Sequence, residues 1–105
     1  MVDQHGFERV GKASAIKPGD MMVVQVAGED VCLINLGGRF FAVGNICTHA
    51  GGPLNEGWLE GEEVECPYHG SRFNVTSGEV VAPPADTPVK RYQVRLDGED
   101  ILLAP

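Results

Sequence analysis

Between residues 91 and 96 the chain alternates strictly, with Arg91, Gln93 and Arg95 in one register and Tyr92, Val94 and Leu96 in the other. A period of two puts the three apolar side chains on one face of an extended strand, half in a core and half out. Asp97-Gly98-Glu99-Asp100 then turns the chain into Ile101-Leu102-Leu103, which predicts a hairpin. The same reading predicts strands over 22–26, 31–36 and 39–43, punctuated by Ala27-Gly28-Glu29-Asp30 and by Gly37-Gly38. Shorter extended stretches fall at 7–10, 63–65, 72–74 and 79–81. No window carries the spacing of an amphipathic helix. The prediction is an all-β domain over residues 1–105, with two or three small antiparallel sheets in a sandwich or barrel arrangement.

Composition sharpens this picture in two places. Fourteen glycines and seven prolines supply the many turns that short strands need. Fifteen acidic residues against eight basic ones give a formal charge of −7, the wrong sign for nucleic acid. Such a surface keeps a protein soluble and can steer it toward a basic partner. No apolar run approaches the roughly 18 residues that span a bilayer. The opening Met1-Val2-Asp3-Gln4-His5 lacks the basic segment and apolar core of a secretory signal, so a cytoplasmic protein with no membrane contact is expected. Three cysteines in that compartment stay reduced, and a metal or redox role accounts for them better than a disulfide framework.

Two of those cysteines stand beside two of the three histidines. Residues 47–52 read Cys-Thr-His-Ala-Gly-Gly and residues 66–71 read Cys-Pro-Tyr-His-Gly-Ser. Both stretches follow predicted strands and carry the glycine and proline of loops, and two loops on a rigid β scaffold can meet in space. Two soft thiolates and two imidazoles satisfy a single tetrahedral zinc. They equally satisfy a dinuclear [2Fe–2S] unit in which the cysteines hold one iron and the histidines the other. Each loop offering one ligand of each type suits the second arrangement, and a zinc-stabilised structural or adaptor module is the alternative.

Cys47-x-His49, a gap of 16 residues, and Cys66-x-x-His69 together resemble the Rieske iron–sulfur signature. Thr48, Pro67 and the Gly70-Ser71 pair strengthen the likeness, which is close over 40–84 and loose elsewhere. The resemblance implies a Rieske-like fold with two cluster-binding loops. It makes Cys47 and Cys66 ligands of the iron that stays ferric, and His49 and His69 ligands of an outer iron that accepts the electron. It also sets Ser71, Tyr68 and Pro83 close around the cluster, with Pro83 or Pro84 in a covering loop.

Departures from the family's best-known branch narrow the function. Respiratory and photosynthetic members carry a further cysteine in each loop, joined as a disulfide; Gly52 and Tyr68 stand there instead. Ser71 matches a hydroxyl that donates to sulfur, whereas Phe73 replaces a tyrosine donor. Fewer donors stabilise the reduced cluster less, so a midpoint of about −150 mV, near the bottom of the Rieske range, is expected. Once two histidines are taken by the cluster only His5 remains, so no 2-His-1-carboxylate oxygenase site can form. The chain is therefore identified as resembling the monomeric ferredoxin component of multicomponent aromatic-ring dioxygenases, not itself an enzyme. The resemblance implies electron transfer from a flavin-dependent reductase to a terminal oxygenase, with docking at the rim around His49 and His69, Leu54 and Pro84 included. The small subunit of an assimilatory nitrite reductase is the competing reading within the fold. Cys32 is expected to be a buried small hydrophobe, His5 a solvated side chain, and Trp58 to pack under a loop rather than touch cluster or partner.

Overall fold

The computed structural model describes residues 6–49 and 51–105, and the readings of His5 and of residues 1–5 lie outside them. Ten strands follow one another among the described residues: β1 (Glu8–Lys12), β2 (Met21–Val26), β3 (Glu29–Leu36), β4 (Arg39–Gly44), β5 (Trp58–Glu60), β6 (Glu63–Glu65), β7 (Arg72–Asn74), β8 (Val80–Ala82), β9 (Arg91–Asp97) and β10 (Asp100–Ala104). Two single 3-10 turns, Ala13–Ala15 and Leu54–Glu56, are the helical elements among the described residues. The strands form a six-stranded sheet in the order β1-β10-β9-β4-β3-β2 and a four-stranded sheet in the order β5-β6-β7-β8. The edge strands β1 and β2 lie against each other, so the larger sheet curls towards a closed barrel.

The predicted hairpin at 97–100 is present, and the punctuation at 27–30 closes a second one. Asp97 pairs with Asp100 around Gly98-Glu99, and Val26 pairs with Glu29 around Ala27-Gly28. Alternation in β9 buries Tyr92 and half-buries Val94, but Leu96, beside the hairpin turn, remains exposed.

β3 shows how the sheets share a core. Its run Val31-Cys32-Leu33-Ile34 is buried without a break. Val31 and Leu33 point into the barrel with Val24, Ala42, Ile101 and Leu103. Cys32 and Ile34 point the other way, into a second core with Val43, Val64, Phe73 and Val75. A strand covered on both faces reads as a continuous apolar run rather than an alternating one. That second core fastens the small sheet to the barrel, and Cys47 and Cys66 sit in it.

Candidate metal centre

The loop after β4 and the loop after β6 close on themselves in the same way. Cys47 N–H donates to the Gly52 carbonyl at 2.8 Å, and Gly51 N–H donates to the Cys47 carbonyl at 3.0 Å. Cys66 N–H donates to the Ser71 carbonyl at 2.8 Å, and Gly70 N–H to the Cys66 carbonyl at 3.2 Å. Each turn needs a residue at positive φ four places after its cysteine, and Gly51 (+72°) and Gly70 (+79°) supply it without the strain a Cβ brings. One backbone turn is used twice. The histidine comes two residues after the cysteine in the first loop and three after it in the second.

Burial separates the four side chains by type. Cys47 and Cys66 are 3% and 1% exposed, whereas His49 and His69 lie at the surface. The two thiols are hydrogen-bonding neighbours, and burial first, then the adjoining Cys47, pushes the Cys66 thiol up. The N–H groups of Tyr68 and His69 donate to the Cys66 sulfur and pull in the opposite direction. The imidazoles meet edge to face, ring centroids 5.5 Å apart and planes at 81°. Thiol therefore lies by thiol and ring by ring. Among the described residues no three His, Cys, Asp or Glu side chains gather around one point as a single ion requires. Two pairs, an inner soft one and an outer imidazole one, fit a dinuclear iron–sulfur group.

The loop between β8 and β9 is tied to both cysteine loops. Ala85 N–H donates to Ser71 Oγ at 3.0 Å, and Thr48 Oγ1 donates to the Thr87 carbonyl at 2.6 Å. Pro83 and Pro84 are exposed on this loop. Ser71 is fully buried, and because its oxygen accepts from Ala85, its own proton remains for a second partner. Phe73 fills the core beneath without a polar atom. Gly52 is buried against the second loop: a Cβ there would lie 2.7 Å from Cys66 Sγ and 3.0 Å from Tyr68 Cγ.

Two expectations need correction. Leu54 is not at a docking rim; it is completely buried in the 3-10 turn Leu54–Glu56. Its N–H donates to the Asn45 carbonyl at 2.7 Å, while Asn45 Nδ2 donates to Asn55 Oδ1 and the Asn55 backbone N–H donates to Asn45 Oδ1, which holds the turn inward. Trp58 does not pack under a loop but stands 60% exposed at the start of β5, beside Glu65, the residue before Cys66. Cys32 is buried as expected, its thiol pushed up to about 12 by burial. The ties from Thr48 and Asn45 had no sequence signal of their own. The repeated Cys-x-x-x-Gly frame (Cys47 to Gly51, Cys66 to Gly70) was a visible sign that the two loops share a turn.

Comparison with known proteins gives a consistent result. Residues 6–93 match the family model described as Rieske [2Fe-2S] domain. The ferredoxin component of a biphenyl 2,3-dioxygenase from Rhodococcus jostii (strain RHA1) is 36% identical over 95 residues, which is 90% of this chain and 89% of that protein. The solved ferredoxin of carbazole 1,9a-dioxygenase from Nocardioides aromaticivorans IC177 superposes with a TM-score of 0.91 at 38% identity, covering 94% of this chain and 97% of its own. A chain in a complex of reduced oxygenase and oxidized ferredoxin of carbazole 1,9a-dioxygenase gives a TM-score of 0.89 at 31% identity, with 94% and 93% covered. A Mycobacterium tuberculosis chain provisionally assigned as an NADH-dependent nitrite reductase small subunit reaches 0.85 at 23% identity, with 94% of each chain covered, a likeness of fold alone.

Proposed function

Because this chain belongs to the Rieske [2Fe–2S] domain family, we propose that it is the ferredoxin component of an aromatic-ring dioxygenase system, working as a one-domain, cytoplasmic monomer. It carries electrons and leaves the ring chemistry to other components, as relatives named ferredoxin components do. Cys47 and Cys66 are the ligands of the inner iron, and His49 and His69 those of the outer. The observation that carries this reading is the split in burial, with paired thiols in the core and paired imidazoles at the surface.

When bound, the cluster supplies reversible one-electron transfer. The chain's own residues do the rest. The N–H groups of Tyr68 and His69 give the Cys66 sulfur hydrogen bonds that favour negative charge. The β8–β9 loop, held by Ser71 and Thr48, covers the loops and keeps water from the thiols. His49 and His69 leave the cluster a short exit, so the surface around them, with Pro84, receives both a flavin-dependent reductase and a terminal oxygenase. The complex of ferredoxin with oxygenase in the carbazole system supports the second partner.

Purified protein is expected to be brown, to give an EPR signal on reduction, and to show a midpoint of about −150 mV. It should also carry electrons from such a reductase to a terminal oxygenase in a reconstituted assay. A colourless protein with one zinc per chain, or a midpoint above about +100 mV, would overturn the proposal.

A further inference from the structure

Tyr68 stands between two of the proposed ligands and is 59% exposed, an unusual place for a large ring. Its inner edge lies against the first loop. The side of the Gly52 Cα where a Cβ would stand is taken up by Tyr68 Cγ and Cδ2, 3.0 and 3.2 Å from that point, and by Cys66 Sγ at 2.7 Å. The ring of the second loop is thus seated on the backbone of the first, beside the buried sulfur. Gly52 is fixed there in turn, because its carbonyl accepts the Cys47 N–H. Tyr68 is fixed as well, its own N–H donating to the Cys66 sulfur. The contacts run from the Cys47 backbone through Gly52 and the Tyr68 ring to Cys66, linking one cysteine loop to the other through a glycine notch and an aromatic ring. The ring meets the notch at its root, Cγ and Cδ2, and not at its hydroxyl.

We propose that Tyr68 is a positioning residue that braces the two loops: its ring, seated in the notch left by Gly52, fixes their separation and shuts water away from the Cys66 sulfur. The inference rests on the ligand assignment under Proposed function. Two consequences follow from elementary electrostatics. Without the ring, water reaches the sulfur and stabilises the more negative, reduced state, so the midpoint rises. The path by which a chelator takes iron also opens.

Wild type, Tyr68→Phe, Tyr68→Leu, Tyr68→Ala and Gly52→Ala holoproteins are to be compared by voltammetry and by bleaching of the visible spectrum in excess iron chelator. Tyr68→Phe is expected to match wild type in both. Tyr68→Ala should lose iron on the order of tenfold faster, the scale set by removing the buried half of an aromatic ring, and its midpoint should rise. Tyr68→Leu, which keeps apolar bulk, should fall between them. Gly52→Ala, whose Cβ would stand 2.7 Å from Cys66 Sγ and 3.0 Å from Tyr68 Cγ, must push the ring and the sulfur off the first loop and should follow Tyr68→Ala. A Tyr68→Phe protein that behaves like Tyr68→Ala would assign the effect to the hydroxyl and overturn the brace. Loaded Tyr68→Ala or Tyr68→Leu proteins indistinguishable from wild type would overturn it too. A wild-type chain that takes up no cluster sinks the ligand assignment instead, and that result is read before any variant is made.

Discussion

Ser71 accepts one bond through its oxygen and keeps a proton to give. Fully buried, it accepts the Ala85 N–H, and its proton is left for the sulfur role the family likeness implies. Ser71→Ala orphans a buried N–H, so unfolding should become easier by about 1–3 kcal/mol, measured by chemical denaturation. The same change should lower the midpoint in voltammetry; an unmoved midpoint would mean that the proton points elsewhere. Tyr92 offers a test in the barrel, away from the metal loops. Burial first, then the bond its hydroxyl donates to Glu29 (3.0 Å), lifts its pKa from 10.0 to about 12. Between those values the native chain keeps a proton that the unfolded chain releases, so this contribution is whole below pH 10 and is lost as the pH climbs through about 12. Denaturation midpoints should therefore fall across that window, and Tyr92→Phe should flatten the fall. Legibility at this scale followed chemistry. The four ligand candidates could be read because thiols and imidazoles are scarce and closely spaced, whereas Thr48 and Asn45 act through ordinary polar bonds whose partners, Thr87 and the turn at Asn55, the sequence does not reveal.

Among the elements, nine of the ten strands were visible in the apolar pattern, because alternation or an unbroken apolar run survives in each of them. β5 was not. It has three residues, Trp58-Leu59-Glu60, with both outer side chains exposed, and only its pairing with β6 makes it a strand. The turn carrying Leu54 misled for a related reason. An apolar residue between Pro53 and Asn55 reads as a surface loop until Asn45 is seen to pull that loop inward. Leu54→Ala is accordingly expected to cost about 2–5 kcal/mol of stability, seen as a lower thermal midpoint. A stability unchanged by that substitution would contradict the burial. Pro84, exposed on the β8–β9 loop, remains the residue with which to probe docking. Pro84→Ala should slow transfer to the oxygenase without altering the visible spectrum.

Charge belongs to the molecule as a whole. A net −7 spread over a radius of gyration of 12.9 Å makes a field that a basic partner feels before contact. Transfer rates followed by stopped flow should fall as salt is raised through the range where the Debye length shrinks to about 8 Å. A flat profile would show that encounter is not steered. Another whole-molecule property comes from where the chain leaves the barrel and returns to it. β4 and β9 are direct partners, Ala42 opposite Tyr92 and Val43 opposite Arg91, and Gly44 N–H donates to the Lys90 carbonyl at 2.8 Å. Everything between them, the small sheet and all three loops of the site, departs and comes back through that single strand pair. Residues 45–90 thus have the geometry of a cassette. A host that offers two adjacent antiparallel strands and an apolar strip like Cys32, Ile34 and Val43 can accept the span by grafting, and exchanging cassettes between carriers changes the tip that meets partners while the barrel stays as it is.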